Sequence, residues 1–232
     1  TFNHNYAQLT AVDYNDGQIT IKGYHAADAA YGEPNHFLIL FDDTTNQQVA
    51  AVKTSAATTP AQAQGLVAYN AAKSGFSASL SVPNGLNSGH QYSFVLRYSA
   101  DAHDNGNNGA HTDCWLTLNR ANAAHLDGIN FSNGTLVVNG WHANDFSVVA
   151  PYHYLILFDN TTNQQVAVKQ VTIPVQRPDV AKAYPAIITA ATAGFAVDFG
   201  QQVLQANHTY SVVSRYSTSS QGNGGNGAYQ DS

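Results

Sequence analysis

Pro151-Tyr152-His153-Tyr154-Leu155-Ile156-Leu157-Phe158-Asp159 has a twin in Pro34-Asn35-His36-Phe37-Leu38-Ile39-Leu40-Phe41-Asp42, 117 positions earlier. Each is a short continuous apolar run closed by Asp-x-Thr-Thr-Asn, a cluster of turn-forming residues. Such a run fits a central strand ending in a tight connection. The match extends without a gap over Gly17–Ala50 against Gly134–Ala167, with 19 of 34 positions identical. It returns at Arg97-Tyr98-Ser99 against Arg215-Tyr216-Ser217, and at Asn108-Gly109-Ala110 against Asn226-Gly227-Ala228. A period near 117 residues is too long for a solenoid unit and suits a whole domain, so the chain reads as two tandem copies of one domain.

The surrounding pattern predicts strands. Gln18–Lys22 alternates polar and apolar residues, and Thr135–Asn139 repeats it less cleanly. Gln48–Lys53 and Gln165–Val171 resume extended structure after the turn, and Gln91–Tyr98 and Thr209–Tyr216 are rich in β-branched and aromatic residues. One helical stretch is expected per copy, over Pro60–Ser74 with Thr59 as N-cap, and from Pro178 to before Gly194. Pro185 inside the second predicts a kink or two short helices. Phe76 and Phe195, just past the stop glycines, are expected to plug the core. The fold class is therefore all-β, a mainly antiparallel sandwich with one short helical segment per repeat. The domains are 1–118 and 124–232, joined by Asn119–Ala123. The first copy closes with Cys114-Trp115-Leu116-Thr117-Leu118, whereas the second reaches Asp231-Ser232 where that strand begins, so its closing strand is expected to be missing.

Composition narrows the function. Hydrophobic residues make up 44%, enough for a core in each half, but charged residues only 10%, with Asn, Gln, Ser and Thr supplying the polar surface. A net charge of -6 with 9 Lys+Arg argues against nucleic acid and anionic membranes. No apolar run is long enough for a transmembrane helix. The single Cys114 has no partner for an intramolecular disulfide. Few charges and no disulfides resemble the composition of an exported Gram-positive protein, which places the chain outside the cell, at the wall or surface.

A residue that serves a shared task should occur in both copies. Gly-aromatic-His-Ala-x-Asp does: Tyr24, His25 and Asp28 in the first, Trp141, His142 and Asp145 in the second. An aromatic ring at a strand end suits stacking on a sugar or peptide, with the neighbouring His donating hydrogen bonds; packing in a core is the alternative. His25/His36 and His142/His153 recur eleven residues apart. Zinc needs three or four ligands, and neither a Cys pair nor a His-Glu-x-x-His helix supplies them. Arg97-Tyr98 and Arg215-Tyr216 end a strand; the arginine either forms an internal ion pair or holds a ligand carboxylate. Tyr152 and His153 complete the candidate ligand-binding set. Asp42 and Asp159 are expected to cap the following turn. The loop from Asp101 through Asp104 has calcium-like oxygen spacing, but Ser219–Gly224 lacks carboxylates, so a shared calcium site is not expected. No nucleophile elbow, phosphate loop or cofactor motif is present, and Glu33 faces Ala150 in the other copy.

Gly140-Trp141-His142-Ala143, Pro151–Asp159, Arg177-Pro178-Asp179-Val180, Tyr184-Pro185, Ala193-Gly194-Phe195 and Ser214-Arg215-Tyr216-Ser217 together form a pattern. It resembles the C-terminal target-recognition domain of zoocin A-like lytic exoenzymes and similar modules in surface proteins of lactic acid bacteria. The first copy departs from it, with Tyr24 for the tryptophan, no Arg-Pro-Asp-Val, and Leu66 where Tyr-Pro ends. The resemblance implies a compact, β-rich, non-catalytic module that binds peptidoglycan or a wall-attached glycan. The rival expectation is a self-associating surface-layer or adhesin segment that binds other protein or host glycan.

Overall fold

A computed structural model describes residues 2–232, and the chain divides into two compact units, Thr1–Leu118 and Asn119–Ser232. In the first unit the strands are β1 (Asn5–Asn15), β2 (Gln18–Ala27), β3 (Asn35–Asp42), β4 (Gln47–Lys53), β5 (Ser55–Ala56), β6 (Gly75–Ser81), β7 (Tyr92–Ser99) and β8 (His111–Thr117). They form two sheets, ordered β1-β2-β6-β5 and β4-β3-β7-β8, with every pairing antiparallel. The second unit repeats the plan with β9 (Ala123–Ser132), β10 (Thr135–Ala143), β11 (Tyr152–Asp159), β12 (Gln164–Val171), β13 (Gly194–Gln201), β14 (Tyr210–Ser217) and β15 (Tyr229–Asp231), as sheets β13-β10-β9 and β12-β11-β14-β15. Each unit is thus an all-β, sandwich-like body.

The apolar runs are the centres of these sandwiches. Phe37, Leu38, Ile39 and Leu40 of β3 are buried, as are Tyr154, Leu155, Ile156 and Leu157 of β11. In the second unit Leu155 and Leu157 meet Leu136, Val138, Phe195, Val197 and Phe199 from the opposing sheet. Phe76 and Phe195 are 3% and 4% exposed, as expected of core plugs.

The two long first strands escaped the sequence reading because a bulge breaks their alternation. Pairing slips between Leu9 and Ala11 in β1, and at the matching place between β9 and β10, where Asn139 faces Gly128 but Gly140 faces Leu126. The repeated glycine is the partner of that bulge. A Cβ on Gly23 would run into the Gln8 carbonyl oxygen, and one on Gly140 into that of His125. Gly140→Ala is therefore expected to cost about 1–3 kcal/mol by forcing two backbones apart. Gly32→Ala, where a Cβ meets nothing within 4 Å, should leave the melting temperature unchanged in the same thermal scan.

Three boundaries need correction. The stretch Pro60–Ser74 is not one helix: α1 covers Ala61–Gln64 only, and a 3-10 turn follows at Ala71–Lys73. Thr59 does not cap it; its hydroxyl accepts from the Gly75 amide at 3.0 Å. Pro185 does divide the second insertion, into α2 (Pro178–Ala183) and a 3-10 turn at Ala190–Thr192. Asn119–Ala123 belongs to the second unit, which begins at Asn119 rather than at 124: Asn119 N donates to Asp145 Oδ2 at 2.7 Å and Asn122 Oδ1 bonds His142 Nε2 at 2.6 Å. The second unit also has a closing strand: β15 pairs with Arg215–Ser217, and Ser214 and Ser232 exchange two backbone bonds of 2.9 Å. It is only three residues long, against seven in β8.

Candidate functional site

The Gly-aromatic-His element lies where β2 and β10 stop alternating. From Gly23 to Ala27, and from Gly140 to Ala143, every residue is buried on both faces, because the helical insertion covers what would otherwise be the outer face. Tyr24 packs on Ala63, Ala71, Leu66 and Ala68. Trp141 packs on Val180, Ala181 and Ile187, with the Tyr184 ring 5.3 Å away. Tyr24 and Trp141 are 9% and 8% exposed, so the expectation of an open stacking platform is corrected. These rings anchor the insertion.

His25 and His142 are fully buried and belong to a hydrogen-bonded line between the sheets. His25 Nε2 meets Asn5 Oδ1 at 2.7 Å, and its Nδ1 meets His36 Nε2 at 2.9 Å. His36 Nδ1 meets the Thr54 hydroxyl at 2.8 Å. The Asn5 carbonyl can only accept, which makes His25 Nε2 the donor and leaves Nδ1 to accept from His36. In the second unit a hydroxyl is inserted: Ser214 Oγ lies 2.8 Å from His142 Nδ1 and 2.7 Å from His153 Nε2. The equivalent position in β7 is Leu96, so the first pair bonds directly. Tyr98 and Tyr216 lie against the rings, at 4.5 Å from His36 and 4.3 Å from His153, and donate to the carbonyls of His25 and His142.

Burial sets the charge of this line. It lowers His25 and His153 to about 3 and His142 to about 4, and holds His36 well below its ordinary value, with His25 adding to the effect. It pushes the Tyr98 hydroxyl up to about 12 and raises that of Tyr216. All are neutral near pH 7, and none is placed to touch a ligand. The paired histidines are interior polar groups. Among the described residues no group of three or more His, Cys, Asp or Glu is arranged to hold a metal ion.

Asp28 and Asp145 act as staples within their own units. Asp28 accepts from the His4 amide and ring and from the Tyr69 amide. Asp145 accepts from the amides of Asn119, Ile188 and Thr189 and from the Thr189 hydroxyl. Each ties the chain entering the unit to the helical insertion. The His4 amide holds the Asp28 carboxyl below its usual range, whereas burial raises that of Asp145. Asp42 and Asp159 do cap the turn after the central strand, accepting from Thr44 and Thr45, and from Thr161 and Thr162. Each also pairs with a histidine at 2.7 Å, His90 or His208.

The arginines lead to the surface. Arg97 forms a two-pronged pair with Asp113 at 2.7 and 2.8 Å, and Arg215 one with Asp231 at 2.6 and 2.7 Å. Each sends a third bond to a loop carbonyl, Asn105 O at 3.2 Å or Asn223 O at 3.3 Å. With its fork committed to a carboxylate, the arginine serves as an internal clamp rather than a ligand contact. What it clamps is the glycine-rich loop after β7 or β14. Ser99 and Ser217 donate to the carbonyls of Gly106 and Gly224 at 2.6 Å, and the side chains of Asn105 and Asn223 bond Gln48 and Gln165 at 2.6 Å. Gly106 and Gly224 have positive φ, 71° and 76°, and a Cβ there would strike Phe37 or Tyr154 beneath. Asp101 belongs to the same framework: it accepts from His103 and Asn108, so its carboxylate is spent on turn geometry, and Asp104 is exposed.

The exposed side chains of this pinned loop include amides, Asn107 and Asn108 in the first unit and Gln221 and Asn226 in the second, with His103 and Asp104 also exposed in the first. An exposed ring follows in each, His111 or Tyr229, the latter stacked 3.9 Å over the Arg215 guanidinium. Sequence reasoning saw the repeat Asn-Gly-Ala but weighed the loop only as a calcium site; the signal for a shared role was its presence in both copies beside Arg-Tyr-Ser. Tyr152 is half-buried at the start of β11, opposite Ser217. Other exposed aromatics are Phe2, Tyr6, Phe131 and Tyr184, together with Tyr31 and Tyr69, 5.3 Å apart edge-on, and Trp115 against Phe41 at 5.3 Å. No known family model and no curated protein sequence matches the chain.

Proposed function

We propose that the chain is a non-catalytic, tandem cell-wall-binding module of an exported Gram-positive protein, which takes peptidoglycan or a wall-attached glycan through the clamped loop of each unit. One observation carries this reading: the same rigid loop, with exposed amides beside an exposed ring, is built twice by the same arginine–aspartate clamp. Asparagine amides both donate to and accept from sugar hydroxyls or peptide groups, and a ring offers an apolar face to stack on them. A preformed loop loses little conformational entropy when it engages a polymer. The low charge of the chain suits a ligand read by hydrogen bonds and stacking. Two such loops on one chain raise retention on a repeating polymer by effective concentration, by up to about 10²–10⁴. The wall as the target rests on the resemblance carried by Gly140–Ala143, Pro151–Asp159 and Ser214–Ser217.

Co-sedimentation with purified Gram-positive walls, before and after stripping teichoic acids and other attached polymers, tests the reading. Binding that survives stripping assigns peptidoglycan; binding lost on stripping assigns an attached glycan. Asn226→Ala with Tyr229→Ala is expected to weaken retention about tenfold or more, and adding Asn108→Ala with His111→Ala to abolish it. All four residues are exposed, so the far-ultraviolet spectrum should not change. A quadruple variant that sediments like the parent would remove the loops from the function, and a parent chain that ignores walls of several species would remove the function itself.

A further inference from the structure

In the first unit the surface beside the clamped loop continues along β8. Side chains two apart on a strand share a face. The exposure of β8 follows that rule: His111, Trp115 and Thr117 are exposed, while Thr112, Cys114 and Leu116 are half-buried. Asp113, in the same row as the exposed residues, is fastened to Arg97. Trp115 faces Val95 across the ladder, and its ring leans over β7 to meet Phe41 of β3 edge-on at 5.3 Å. The indole is thereby held in place, yet it is 50% exposed. Val95 and Ile39, in register with it, are 2% and 4% exposed, so the floor under the two rings is filled. The pair presents a flat apolar face rather than a pocket. Polar groups line its side: Ser93, opposite both Phe41 and Thr117, donates to Asp43 Oδ2 at 2.7 Å and lies 2.9 Å from Thr117 Oγ1. Asp43 and Thr117 are both exposed.

We propose that Trp115 stacks on a sugar ring, and that the ligand of the first unit is a glycan chain running from the clamped loop along the outer face of β8. This rests on the wall-binding reading and narrows it, selecting glycan over peptide as the part of the wall that is read. A pyranose has a face of C–H groups and a rim of hydroxyls. The face matches a flat indole, and the rim matches the Asp43 carboxylate and the Thr117 hydroxyl. An apolar peptide side chain would need a recess to fill, and Val95 and Ile39 leave none beneath the rings. At about 3.4 Å per residue, His111 and Trp115 stand about 14 Å apart along the strand, the span of a short oligosaccharide. One chain of sugars can therefore meet the loop amides, His111 and Trp115 together.

Fluorescence tests this, because the chain has two tryptophans and the other, Trp141, is 8% exposed. Two probes are titrated into the 232-residue chain: peptide-free glycan strands released from Gram-positive peptidoglycan by an amidase, and the glycan fraction stripped from the same walls. A saturable blue shift of the emission is expected with one of them, and the responding probe identifies the source. Trp115→Phe, left with the buried tryptophan, should show no shift. Retention on whole walls should fall about tenfold for Trp115→Ala and stay within about twofold of the parent for Trp115→Tyr, which keeps a ring. A parent that sediments with walls while its emission answers neither glycan, or answers the released stem peptides instead, would overturn the proposal and leave wall binding standing. So would a blue shift without glycan that grows with protein concentration alongside a dimer in sedimentation, because a second copy would then cover the indole. A parent that ignores walls would remove the wall-binding reading and this inference with it.

Discussion

Lowering the pH from 7 to 5 is expected to remove about 4 kcal/mol of stability from the second unit, most of it through two histidines. In the unfolded chain a histidine takes up its proton near pH 6.5; in the folded second unit burial lowers His142 to about 4 and His153 to about 3. Between those values the unfolded state binds more protons than the folded one, so stability is complete above about pH 6.5 and falls as the pH drops. The slope is about 1.4 kcal/mol per pH unit for each histidine, and pH 5 lies about 1.5 units down it. Asp231 opposes the shift at His142 by its charge, as Asp113 does at His25, but burial is the larger cause in both. The first unit should follow the same course, with His25 lowered to about 3 and His36 well below its ordinary value. Urea denaturation at half-unit pH steps measures this directly. A His153→Phe variant should lose stability at pH 7, yet show a shallower dependence between pH 6.5 and 5. An unchanged free energy across that window in the parent would mean that the rings ionise inside the fold.

Trp141→Ala is expected to cost about 3–5 kcal/mol, the range for deleting a large aromatic from a core. The ring is 8% exposed and is the common contact of α2, the following 3-10 turn and the end of β10. Its loss leaves Val180 and Ile187 facing a void, so the insertion should detach before the sheets do. Limited proteolysis should then cut within 178–193 at a denaturant concentration that leaves the parent intact. Wall binding per folded molecule should stay unchanged, because the ring reaches no exposed surface of the clamped loop. A variant that keeps its midpoint but loses wall binding would restore Trp141 as a contact residue.

Those expectations explain what the sequence made legible. The all-β class, the central strands at His36–Phe41 and His153–Phe158, and the turn caps Asp42 and Asp159 follow from local chemistry that tertiary contacts do not disturb. The helical insertion was over-read because Thr59, Pro60 and Gly75 carry the start and stop chemistry of a single helix. Gly65 and the capture of the Tyr69 amide by Asp28 divide it after one turn. The role of Gly-aromatic-His was misplaced for a related reason: an aromatic repeated in both copies marks a shared environment, and here that environment is packing. What distinguishes Trp141 from an open platform is the run of Ala143, Ala190, Ala191 and Ala193 that lets backbone close around it, visible only once β10 and the insertion meet. Arg97 and Arg215 find their partners, Asp113 and Asp231, 16 residues on, across the loop they fasten.

The exchange of Leu96 for Ser214 also bears on how a chain of near-identical halves avoids mispairing. Repeats that share 19 of 34 positions over their central hairpins invite one half to borrow a strand from the other during folding. A hybrid that set His142 and His153 beside the β7 sequence would face them with Leu96. The hydroxyl that joins them would be gone, and the two rings would have to shift together to bond each other directly, as His25 and His36 do at 2.9 Å. The converse hybrid would press Ser214 between His25 and His36, which already bond each other at 2.9 Å. A ring nitrogen or hydroxyl left unpaired in such a hybrid costs about 1–3 kcal/mol, a penalty the correct pairing never meets. The exchange of Leu96 for Ser214 is thus one core difference that favours each half pairing with its own strands.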